Sequence, residues 1–176
     1  MKPELIIMLT HNDVTVKNAA EVFESCKELP ATRWGFKDVG LSKVEMIALN
    51  RAMKEAGKTT YLEVVTYTEE GCIEGAKLAG ECGFDFLTGT VYYPSVDSVL
   101  KEYGLKYFPF PGNVGGSPVA LTGTIDEIVA DAVRLVEAGA DGVDLTAYRY
   151  IGGDPLELAR AVGEKVGMDR LTIAGS

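Results

Sequence analysis

Histidine occurs once in this 176-residue chain, tryptophan once and cysteine three times. One imidazole cannot build a His-based metal centre, which needs several converging ligands. Cys26, Cys72 and Cys82 are odd in number and lack metal-type spacing, so they read as free thiols of a reducing compartment. Basic residues are also scarce. Against 26 Asp and Glu there are 17 Lys and Arg, a net charge of −9 that repels a phosphate backbone and anionic lipid and argues against nucleic-acid and membrane partners. No apolar run approaches the roughly 18 residues of a membrane span. The opening "MKPELIIMLTHND" lacks a small-residue cleavage site and reads as a first strand, so the expected location is the cytoplasm. Proline is sparse, at seven, and no low-complexity tract occurs, which excludes an extended or disordered chain.

What is present is apolar content of 47% and a recurring phrase. "EAGKTTYLEVV", "ECGFDFLTGT", "EYGLKYFPF", "EAGADGVDL" and "KVGMDRLTIAG" each run from a helix end through a glycine into a short β segment. Gly57, Gly83, Gly104, Gly139 and Gly167 stand where a helix terminates through a left-handed residue. Helix starts are written by Ser42 with Glu45, Thr124 with Glu127, and Asp154-Pro155 with Glu157. Strands are predicted near 4–10, 32–38, 59–66, 84–90, 106–110, 142–146 and 170–174. Helices are predicted near 14–28, 42–56, 68–82, 95–103, 124–138 and 155–166. Residues 1–176 are read as one α/β domain.

Two architectures fit this alternation. A doubly wound sheet favours a glycine-rich phosphate turn after its first strand, and "LTHNDVT" contains no glycine. The repeated units favour a (β/α)8 TIM barrel. Seven strands are visible where closure needs eight, so one βα unit is expected to be missing from this chain, disordered, removed or supplied by another chain. A homo-oligomer is the corresponding expectation.

Strand alternation sorts side chains by face. In "TRWGFKDVG", Trp34 and Phe36 point toward the helices, turning Arg33, Gly35 and Lys37 inward. Leu62 and Val64 pack outward and leave Glu63 inside; Val143 and Leu145 do the same for Asp144 and Thr146. Thr88 and Thr90 are the polar pair of the fourth strand. Lys37, Glu63, Thr88 and Asp144 therefore converge on one axis. One reading is a structural ion pair filling a barrel layer, since a buried charge demands a partner. The other is an active site, because barrel enzymes place catalytic groups at the C-terminal ends of their strands. There Lys37 would stabilise an enolate or phosphate as an ammonium, or act as a Schiff-base nucleophile, with Glu63 or Asp144 as general base.

His11 follows the first strand, at the mouth, as a candidate catalytic group or an exposed turn residue. No cofactor is called for; His11 with Asp13, or Glu63 with Asp144, are the pairs that a divalent cation would use. The stretch "FPFPGNVGGSPVALTG" reads as a lid or an ordinary loop, and Arg149 in "AYRYIGGDP" as a grip for a carboxylate or phosphate or a surface ion pair.

The ending "TIAGS", after a seventh strand, resembles the phosphate-gripping turn of the phosphate-binding (β/α)8 barrels. That group includes ribulose-phosphate epimerases, keto-gulonate-phosphate decarboxylases and keto-deoxy-phosphogluconate aldolases. "GFKDVG" and "YLEVVTYT" loosely resemble the polar ends of its second and third strands, while the epimerase His pair and the decarboxylase Asp-x-Lys-x-x-Asp signature are not found. The resemblance implies that Gly175 and Ser176 hold a phosphate, and the missing signatures that the chain forms a branch apart from those named activities. The expected function is a lyase or isomerase acting on a small phosphorylated or carboxylated keto compound, a small anionic metabolite, through an enolate or Schiff-base intermediate. The alternative is a catalytically silent barrel that binds a metabolite or a partner chain.

Overall fold

Several helix boundaries in the computed structural model, which describes residues 2–174, lie where the capping chemistry puts them. Ser42 starts α2 (Lys43–Glu55) and Thr124 starts α5 (Ile125–Ala138), each with a reciprocal capping box to the glutamate three residues on. Asp154 accepts from the Leu156 N–H ahead of Pro155 to open α6 (Pro155–Val166). Gly83 and Gly104 close α3 (Glu69–Cys82) and α4 (Pro94–Tyr103) in the left-handed conformation, at φ of 77° and 72°.

Between the helices run short parallel strands. β1 (Ile6–Met8), β4 (Arg33–Lys37), β5 (Thr59–Val64), β6 (Phe86–Gly89) and β7 (Lys106–Phe108) form one sheet in that spatial order. β10 (Val143–Leu145) and β11 (Leu171–Ile173) form a separate parallel pair. Main-chain bonds from Asp144 N to Pro109 O at 2.9 Å and from Asp141 N to Tyr107 O at 3.0 Å tie that pair to the end of the sheet. No ladder joins β1 to β11 among the described residues, so the ring expected of a (β/α)8 barrel is not closed.

The two faces of the wall differ. Trp34, Phe36, Leu62, Val64, Leu87 and Tyr107 pack with helix residues such as Phe23, Met53 and Leu100 into the main core. Val143 and Leu145 pack with Ile128, Leu135, Leu158 and Val162 of α5 and α6 in a second core. Full burial of a Leu or Ile side chain contributes about 1.5 to 3 kcal/mol, so these outward faces hold the layers together. On the inner face Tyr61, Phe86 and Phe108, with the half-buried Ile6, form a small apolar cluster of their own. Tyr61 and Phe86 stack at 4.4 Å, and Phe86 meets Phe108 edge-on at 5.5 Å. A cavity of about 1770 Å³ opens on these rings and on both edge strands, β1 and β11.

Two predicted segments differ from expectation. The helix expected over 14–28 is shorter, α1 (Ala19–Cys26), because residues 10–15 form a hairpin of β2 (Thr10–His11) and β3 (Val14–Thr15). Asn12 and Asp13 occupy its two-residue turn at φ of 50° and 61°, the positive pair that a type I′ turn requires and that Asn and Asp tolerate. The long stretch after β7 is also a hairpin, β8 (Asn113–Gly115) with β9 (Ala120–Thr122).

Candidate functional site

Register builds the site. Parallel pairing sets Lys37 opposite Glu63 and Glu63 opposite Thr88, a polar row at the C-terminal end of β4, β5 and β6. The next row down aligns Gly35, Tyr61 and Phe86, so apolar rings lie directly beneath the charges. Gly35 is required there, since an added Cβ would meet Tyr61 O at 2.6 Å.

Lys37 lies between two carboxylates. Its Nζ is 2.9 Å from Asp13 Oδ1 and 3.5 Å from Glu63 Oε1. Asp13 reaches it because the β2–β3 hairpin is fastened to the end of β4. The Thr15 hydroxyl accepts from Lys37 N at 2.9 Å and donates to Lys37 O at 2.8 Å, and Thr15 N donates to Val39 O. Gly40, at φ 103°, lets the chain pass, where a Cβ would meet Thr15 O at 2.3 Å.

Electrostatics follow from this packing. Burial pulls the Lys37 ammonium pKa down, but the combined attraction of Glu63 and Asp13 outweighs it and leaves Lys37 above its ordinary value. The Lys37 hydrogen bond and charge hold Asp13 below the usual carboxylate range, with a further pull from Arg149. Burial raises Glu63 in spite of Lys37, and burial raises Asp38. Asp144 is pushed well above the carboxylate range, first by complete burial and then by the charge of Glu63, with the Gly89 N–H and Lys37 acting the other way. Its Oδ1 and the Thr146 hydroxyl are both sealed from solvent and lack a hydrogen-bond partner, a condition few buried polar groups show.

A crevice of about 20 Å³, room for one water, is lined by Asp13, Lys37, Glu63, Thr146, Arg149 and Val119. Val119 comes from the β8–β9 hairpin, whose turn is held by the Tyr67 hydroxyl donating to Gly116 O at 3.0 Å. Arg149, in the helical turn Ala147–Arg149, makes no ion pair within 4 Å among the described residues.

The structure thus brings Lys37, Glu63, Thr88, Asp144 and Arg149 to one end of the wall. Two candidates stand apart. His11 is exposed on the hairpin and does not line the crevice. Thr90 is fully buried with its hydroxyl 2.9 Å from Tyr107 Oη, committed to the wall. Gly175 and Ser176 lie outside the described residues. Asp13 is the site residue that strand alternation misses, because it belongs to a turn; its signal is the Asn-Asp pair between two Thr/Val segments. Among the described residues no group of three or more His, Cys, Asp or Glu is placed to hold a metal ion.

No protein-family model matches the chain, and no curated protein matches it. Solved structures do. Orotidine 5'-phosphate decarboxylase from Lactobacillus acidophilus superposes with a TM-score of 0.59 at 14% identity, over 97% of this chain and 80% of that one. A structure described as native KDPGal gives 0.61 at 11% identity, over 99% and 84%. A cube-shaped, highly porous cage designed by fusing symmetric oligomeric domains gives 0.60 at 13% identity, and this chain spans about half, 52%, of its length. These neighbours settle the architecture. The chain shares the α/β, TIM-barrel-like fold of these structures, at low sequence identity.

Proposed function

We propose that the chain is a (β/α)8-type barrel enzyme, its seven parallel strands forming most of the ring, and that it is a lyase or isomerase acting on a small carboxylated or phosphorylated keto compound. The observation carrying this reading is Asp144, a wholly buried carboxyl with an unpartnered oxygen beside Glu63 and Lys37 at the end of the wall where barrel enzymes work. A carboxyl kept protonated by burial can deliver a proton and take it back. Lys37, held as an ammonium by two carboxylates, stabilises the oxyanion of an enolate; it is not the neutral amine that a Schiff base needs. Arg149 orients the substrate's anionic group. Gly175 and Ser176, by resemblance, supply a phosphate turn.

The test is deuterium incorporation next to the carbonyl in a panel of small keto acids and keto phosphates, followed by NMR in heavy water, with cleavage products scored in parallel. At least one compound is expected to exchange or cleave, and Lys37→Met and Asp144→Asn each to slow it by at least about 100-fold. Borohydride is expected to trap no lysine adduct. One observation favours the second reading, a silent metabolite-binding barrel: Lys37 is already neutralised, and the crevice beside it has room for only about one water. If small anions bind while the whole panel stays inert, that reading replaces the first.

A further inference from the structure

Lys37 is gripped unequally from its two sides. Glu63 stands on β5, in the wall, with its side chain about one-fifth exposed, at 19%. Asp13 stands on a two-residue turn, is 56% exposed and reaches in from the mouth to place Oδ1 2.9 Å from Nζ. Its carboxylate lies in the crevice that Arg149 also lines, and Arg149 makes no ion pair there among the described residues.

We propose that the Asp13 carboxylate is a tethered stand-in for the substrate, occupying an anion subsite between Lys37 and Arg149 that a carboxylate of the ligand takes over when the turn swings out. The inference rests on reading this crevice as the substrate site, and it narrows the ligand class. A planar monoanion fits for three reasons. Asp13 already shows one carboxylate oxygen seated on Lys37. A guanidinium matches a carboxylate through parallel N–H donors. The neighbouring carboxylates of Glu63 and Asp38 would repel a dianion more strongly than a monoanion. The narrowness of the crevice follows from the same arrangement, since its anion position is filled from within. Glu63 still pairs Lys37 once Asp13 leaves, so the ammonium survives the exchange.

The experiment is an NMR titration of the full chain with acetate and, separately, inorganic phosphate, reading amides near Lys37 and Arg149, with no turnover required. Asp13→Asn keeps the turn, because Asn accepts positive φ readily. Acetate affinity is expected to rise about tenfold or more in Asp13→Asn, and that gain to vanish in the Asp13→Asn/Arg149→Met double variant. Unchanged or weakened acetate binding overturns the proposal. So does a gain that persists in the double variant, which marks a general charge effect, or a phosphate gain as large as that for acetate. An inert substrate panel would sink the enzyme reading and leave this binding result standing.

Discussion

Asp144 shows how one side chain can set both the chemistry and the acid–base behaviour of the fold. Below the ordinary carboxylate range it is protonated in folded and unfolded chains alike and adds no pH dependence to stability. As pH rises past that range the unfolded chain releases the proton while the buried group keeps it, so folding is progressively disfavoured until the raised pKa of the folded state is passed. Asn cannot ionise. Thermal melts from about pH 4 to about pH 8 are therefore expected to show the Tm of Asp144→Asn climbing relative to the parent as pH rises, with the two closest at the acid end. A gap independent of pH would mean that Asp144 is not held neutral. At this scale much of the site was legible. Period-two alternation turns Lys37, Glu63 and Asp144 inward because Trp34, Phe36, Leu62, Val64, Val143 and Leu145 have to pack outward. Thr90 was not legible, since its φ of 64° takes it off the strand path and hands its hydroxyl to Tyr107.

The β2–β3 hairpin is the element on which the site depends most. Thr15 alone closes both main-chain groups of Lys37, and a valine of the same shape would leave a buried N–H and C=O unpaired. Thr15→Val is expected to lower the unfolding free energy by about 2 to 4 kcal/mol in a urea titration. Thr15→Ser keeps the hydroxyl and is expected to lose about 1 kcal/mol or less, the value of one buried methyl. Amide exchange at Val14 and Thr15 should quicken in the first variant and not in the second. Most elements could be read from capping residues and terminal glycines, which act within a turn of where they stand. The two hairpins could not. Their strands are two or three residues long, too short for a period to register, and β8–β9 is fixed by distant partners such as Tyr67 and Tyr150.

At the scale of the molecule the wall is asymmetric. Its C-terminal rim is filled by an ion-paired cluster, while its inner face lower down opens into a cavity of about 1770 Å³ floored by Tyr61, Phe86 and Phe108. β1 and β11 both border that cavity and each pairs on one side only among the described residues. Leu5, at 69% exposed, and Ile173, at 53%, stand along those edges. Unpaired parallel edges beside exposed apolar side chains recruit another strand unless a charge blocks them. The net charge of −9 opposes association at long range, but it is screened beyond about 8 Å at physiological salt, whereas edge pairing acts at contact. Sedimentation velocity of the 176-residue chain is therefore expected to show association that strengthens with protein concentration and with salt. Ile173→Lys should shift the distribution toward monomer, because a lysine on an edge strand disfavours edge-to-edge pairing, and Ile173, half exposed, is not among the residues of the second core. Association that ignores this substitution would place the contact elsewhere on the surface, and a monomer at every concentration would show that these edges do not recruit a second chain.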